Sequence, residues 1–253
     1  MDRRFGAPWR CMRRNAIWES KELVRPRRHP SRLPHLFGRG GRDRALIALA
    51  VNGPMHVREL ARVIGSDSHK TFDMVEGLRQ AGVVVKRDVP GYRKTVALNR
   101  CLDWAYWKLR DLLFALDARW PARRLEGRIQ PREMWGEAVE VLGADQLDRL
   151  FQSPVRSRTL LFVAAVGVTD MTTLIETLGL GSVSALYAVN HWEREGVVRS
   201  RVVGRHRLVS LDPGFVVAQE LRNFLVALVQ KSPEYLALGD AARPRIEEIL
   251  RPT

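Results

Sequence analysis

The apolar positions between residues 45 and 98 change rhythm in a fixed order. The run ALIALAV at 45–51 is apolar throughout and predicts a buried helix, broken by Gly53-Pro54. In HVRELARVI, residues 56–64, apolar side chains fall at 57, 60, 61 and 64, one face of a second helix. Gly65 follows, where a helix C-terminus takes glycine. The stretch from Ser66 to Ser68 offers N-cap side chains for a third helix over 68–80, with Phe72, Val75 and Leu78 expected to face inward. The segments 83–87 and 93–98 are β-prone and flank a Pro90-Gly91 turn, which predicts a hairpin.

The order then returns. Leu36 and Phe37 fall on Leu150 and Phe151 at a displacement of 114 positions, Leu46 on Leu160, Gly65 on Gly179, Ser68 on Ser182 and Gly82-Val83-Val84 on Gly196-Val197-Val198. One residue is lost at the hairpin turn, so Leu98 falls on Leu211. Two copies make a duplicated unit rather than a solenoid. The second copy predicts helices near 156–167, 170–178 and 182–194 and a hairpin over 197–211. Each hairpin is followed by a 4-3-4 apolar seam: Leu102, Tyr106, Leu109, Leu113 and Leu116 in the first copy, Val217, Leu221, Phe224 and Leu228 in the second. A seam needs a partner, so 102–116 is expected to pack against 215–229; the alternative is that each packs on its own unit.

The stretch ELARVIGSDSHKTFDMVEGLRQAGVVVKRDVPGYRKTVALN resembles the winged-helix regulators of the ArsR and MarR type, whose pattern is helix, Gly turn, recognition helix, an Ala-Gly-Leu-Val-like exit and a basic wing. The second copy matches more loosely. The implied fold is mainly α with small β-hairpins (α+β): two tandem winged helix-turn-helix domains, over 36–116 and 150–230, forming an intramolecular pseudo-dimer. The resemblance implies a double-stranded DNA partner, with two recognition helices meeting successive major grooves about 34 Å apart.

Charge points the same way. Lys and Arg total 42 against 28 for Asp and Glu, a net +14, which favours a polyanionic partner. The hydrophobic fraction of 45% is enough for packed cores and excludes a disordered polyelectrolyte. Cys11 and Cys101 form no metal-ligand pattern and fit a reducing, cytoplasmic setting. The longest apolar run, 160–168, is far shorter than the roughly 20 residues of a membrane span. The basic start MDRRFGAPWRCMRR has no apolar stretch behind it of the kind a secretory leader carries.

The candidate DNA-contacting residues follow from these elements. On the first recognition helix they are Ser68, His69, Lys70 and Asp73; Lys70 and His69 can donate to guanine or phosphate, whereas Asp73 accepts only and repels phosphate. On the second they are Ser182, Ser184 and Tyr187, with Asn190, His191 and Arg194 further along. The first wing carries Lys86, Arg87, Tyr92, Arg93 and Lys94, the second Arg199, Arg201, Arg205, His206 and Arg207. Arginines flanking a glycine turn suit phosphates or a minor groove.

Outside the repeat, residues 1–35 form an Arg- and Pro-rich arm, 117–149 a linker with a short helix near 132–143, and 231–253 a tail with a short terminal helix. No phosphate loop, HExxH or GxSxG is present, and no catalytic, metal or cofactor constellation stands out. The expectation is a non-enzymatic, sequence-specific transcriptional regulator, monomeric by virtue of its internal pairing, with higher oligomers left open. A plasmid-type replication initiator with two winged helices and a winged-helix protein-interaction module are the alternatives.

Overall fold

The computed structural model describes residues 33–38, 41–89, 92–99, 104–125, 150–151 and 153–251. The arm at 1–32, the linker segment 126–149 and its expected helix lie outside the described residues. The fold is mainly helical, with two small antiparallel three-stranded sheets, an α+β architecture. The first half runs α1 (Arg42–Asn52), β1 (Met55–His56), α2 (Val57–Ile64), α3 (Ser68–Gln80), β2 (Val84–Val89), β3 (Tyr92–Leu98) and α4 (Trp104–Arg119). The second half runs α5 (Pro154–Val166), β4 (Val168–Asp170), α6 (Met171–Leu178), α7 (Ser182–Arg194), β5 (Val198–Val203), β6 (His206–Leu211), α8 (Ala218–Gln230) and α9 (Pro233–Leu250).

The repeat extends to individual hydrogen bonds. The Phe37 N–H donates to the Asp43 carboxylate at 3.1 Å, and the Phe151 N–H, 114 positions on, donates to the Ser157 hydroxyl at 3.2 Å. The Asn99 N–H reaches the Val83 carbonyl at 2.8 Å, and the Asp212 N–H reaches the Val197 carbonyl at 2.9 Å. Gly65 and Gly179 both close the second helix of their half in the left-handed conformation, at φ 67° and 58°. A side chain there would meet Cβ strain, which is why the sequence has glycine at both places.

The hairpins carry an extra strand each. β1 pairs with β3 through Met55 and Val96, and β4 pairs with β6 through Thr169 and Val209. The sequence pattern missed both strands because two or three residues are too few for a period of two to register. The tail also differs from expectation. α9 is an 18-residue helix with Pro244 inside it, packed on α5, α6 and α8 through buried Tyr235, Ala242 and Ile246.

The seam helices α4 and α8 pack against each other, and each also packs on the first helix of its own half. Tyr106, Leu109, Leu113 and Leu116 on α4 and Val217, Leu221, Phe224 and Leu228 at and along α8 are all buried. Leu102 lies outside the described residues. The segment before α1 crosses to the second half: Phe37 lies against Phe151 and Phe224, and the His35 N–H donates to the Glu195 carboxylate at 3.1 Å. Phe151 in turn meets Trp192 edge-on at 5.7 Å. One continuous apolar core therefore runs through both halves, burying aromatic rings that each remove on the order of 150–250 Å² from water.

Candidate nucleic-acid interface

In the second half, α7 is held by its inner face. Ala185, Ala188, Val189 and Trp192 are buried, and the Trp192 indole N–H donates to the Arg156 carbonyl at 3.1 Å. That spacing turns 183, 186 and 187 outward, with Val183 63%, Leu186 41% and Tyr187 69% exposed. Ser182 and Ser184 are also exposed, at the N-terminal turn. His191 is buried edge-on against Trp192 at 4.9 Å, so it belongs to the core rather than to the surface.

The β5–β6 hairpin is joined to α7 by Arg207. Its guanidinium donates to Glu193 at 2.9 Å, to the Asn190 side-chain oxygen at 3.2 Å and to the Ser200 hydroxyl at 3.2 Å. Arg207 and Asn190 thus hold the hairpin and helix in one surface. Val203 pairs with His206, leaving Gly204 and Arg205 as a two-residue turn; Gly204 has φ 56°, and Arg205 stands exposed at the tip. Arg199 and Arg201 share one face of β5. Partial burial and the neighbouring Arg199 charge both push the Arg201 guanidinium below its usual range. His206 sits 3.9 Å from the carboxylate of Asp170, the N-cap of α6. Burial alone would raise that carboxyl, but the Thr173 hydroxyl and the Thr172 and Thr173 amides hold it low.

The first half has the same scaffold with different chemistry. Asp67 caps α3, accepting from the His69 and Lys70 amides at 2.7 and 3.3 Å, which hold its carboxyl below the ordinary range. Ser68, His69, Lys70 and Asp73 are all exposed, and His69 Nδ1 lies 3.3 Å from Asp73. Lys86 does not project to solvent as expected of a wing residue. It binds Glu76 at 2.8 Å and sits 4.4 Å over the Phe72 ring. Arg79 binds the same carboxylate at 2.6 Å, and with Lys86 it pulls Glu76 down to about 2. Phe72 corrects the sequence reading: it is 50% exposed, on the outer face. Thr71 takes the buried place, its hydroxyl donating to the Asp67 carbonyl at 2.7 Å, so the inner row is Thr71, Met74, Val75 and Leu78. Of Arg87, Tyr92, Arg93 and Lys94 only the strand backbone is described, with Arg87 opposite Thr95 and Tyr92 opposite Val89; their side chains lie outside the description.

Equivalent outward positions can be read across the halves: His69 and Val183, Phe72 and Leu186, Asp73 and Tyr187, Glu76 and Asn190. The α3 face carries two carboxylates, Asp73 beside the His69 imidazole and Glu76 held by Lys86 and Arg79. The α7 face carries an apolar stripe with no carboxylate in its first two turns. Val183 and Leu186 are not among the polar candidates expected from the sequence; their place outside the 185, 188, 189, 192 row is the sequence signal for their exposure. No known family model matches the chain, and no curated protein is significantly similar to it.

Proposed function

We propose that the chain is a double-stranded-DNA-binding regulator made of two winged-helix units fused into a pseudo-dimer. The observation that carries this reading is the second-half surface, where the outward face of α7 adjoins a hairpin that Arg207 holds to it and that carries Arg205 exposed at its turn. A helix of this exposure enters a major groove while arginines beside it take the flanking phosphates.

The contacts between the halves support the paired arrangement. Phe37 touches Phe151, its own repeat equivalent, and α4 touches α8, the equivalent helix. Contact between like positions is the mark of an isologous interface, as in a twofold dimer; units related by translation would touch through unlike positions. On this reading covalent linkage replaces subunit association, and α3 and α7 serve two half-sites. The net +14 of the chain favours the same partner. Because the two helices differ in every outward position compared above, the half-sites are unlike and the operator is an imperfect palindrome.

Selection of bound fragments from genomic DNA tests this reading. The expected result is enrichment of a bipartite motif with half-site centres about 10–10.5 base pairs apart. Recovery of no motif, together with binding insensitive to salt, would remove it.

A further inference from the structure

The geometry points to a specificity the paired-helix reading does not by itself supply: we infer that α7 reads the 5-methyl groups of thymines in the major groove through Val183, Leu186 and Tyr187. The inference rests on the DNA-binding reading and deepens it. In the major groove thymine presents one carbonyl acceptor and a methyl group, and the methyl is read by apolar contact. The first two turns of a groove helix are those that reach base edges. In α7 those turns expose Val183, Leu186 and Tyr187 on one face, at i, i+3 and i+4.

Three features favour a duplex as the occupant of this stripe. The stripe runs on to Asn190 and Glu193, which bind Arg207 of the hairpin, so whatever covers it also meets the Arg207 guanidinium, two residues from the exposed Arg205. Ser182 and Ser184 border it at the N-terminal turn, where hydroxyls can meet phosphate or a base edge. No carboxylate stands on this face of the helix before Glu193, and Glu193 is neutralised by Arg207. The equivalent face of α3 presents His69, Phe72, Asp73 and Glu76, with Phe72 lying under Lys86. Methyl reading is therefore confined to the half-site beneath α7, and that half-site is rich in thymine.

Deoxyuridine differs from thymidine by the 5-methyl alone and leaves charge and pairing unchanged. The test takes a duplex from the selected fragments and replaces thymidine by deoxyuridine in one half-site at a time. Binding is measured for the wild-type chain and for Val183→Ser with Leu186→Gln. Both side chains are exposed, so the fold does not depend on them.

Replacement beneath α7 should weaken wild-type binding roughly fourfold for each buried methyl. Replacement in the other half-site should change it little. The double variant should bind the thymidine duplex more weakly and lose its preference over the deoxyuridine form. Equal wild-type affinity for both duplexes overturns the inference while leaving the DNA-binding reading intact. So does a variant that keeps the full preference, or one that loses both duplexes equally. A wild-type chain that binds neither duplex overturns the DNA-binding reading as well, and leaves the stripe as a face for a protein.

Discussion

Phe37 and Phe151, equivalent residues of the two halves, stack with ring centroids 5.8 Å apart and planes 19° apart. Both are fully buried, and Phe224 and Trp192 close the cluster from the second half. The stack lies where the first half hands its leading segment to the second. Phe151→Ala should cost about 3–5 kcal/mol, the range for truncating a buried aromatic. Urea unfolding followed by tryptophan fluorescence should show one transition shifted as a whole. Two separate transitions in the wild type would mean that the halves fold independently.

Asp43 is buried beside that junction, on α1. Its Oδ1 accepts from the Phe37 amide, and its Oδ2 makes no hydrogen bond among the described residues. Burial pushes this carboxyl up to about 7, against bonds from backbone amides that lower it, and the charge of Glu195 adds to the rise. The unfolded chain releases the proton near the ordinary value of 3.8 and the folded chain holds it to about 7. The stabilising contribution is whole below about pH 4, falls as pH rises through 7, and is gone above, a change of ~4 kcal/mol. Asp43→Asn should lack this fall, so the stability gap between variant and wild type should change in the variant's favour across that window, leaving the variant the more stable form at pH 8. A wild-type curve that rises from pH 4 to 8 by the same amount as the variant's would contradict this.

Glu76 holds Lys86 and Arg79, and on the proposed reading this restrains the first half as a DNA surface. Glu76→Gln removes a carboxylate from the outward face and releases Lys86. Affinity for a duplex should rise, and the salt slope should steepen by about 0.9 for one more neutralised phosphate. Titration at several salt concentrations measures both; weaker binding would show that the Glu76–Lys86 pair positions a reading residue.

Arg205 and Arg207 should behave differently although they are two residues apart. Arg205, exposed at the turn, should affect affinity for all sequences alike and leave thermal stability unchanged. Arg207 is bound to Glu193, Asn190 and Ser200, so Arg207→Ala should cost about 1–3 kcal/mol of stability by leaving the Glu193 carboxylate without it. Thermal melts of the two variants side by side decide the matter. Equal melting temperatures would mean that Arg207 contributes only surface charge.

Much of this architecture was legible in the sequence because it is written in local rules. Gly65 and Gly179 mark helix ends, Ser182 and Ser68 mark helix starts, and the apolar seams of α4 and α8 recur at equivalent places in the two halves. The short strands β1 and β4 were not legible, because their pairing is decided by β3 and β6, far along the chain. Phe72 was misread because an apolar residue at i−3 from Val75 looks inward. Thr71 takes the buried place instead, with its hydroxyl bonded to the Asp67 carbonyl. The capture of Lys86 by Glu76 was hidden for a related reason. The two lie on different elements, and a basic residue in a hairpin looks like any other until its partner is placed.

Hydroxyl-radical footprinting of one chain on a selected duplex tests the central claim, that two fused units face DNA as a pseudo-dimer, most directly. At one protein per duplex, protection should fall in two patches on the same face, separated by about 10–10.5 base pairs. A single patch, or two patches that require a second protein molecule, would contradict it.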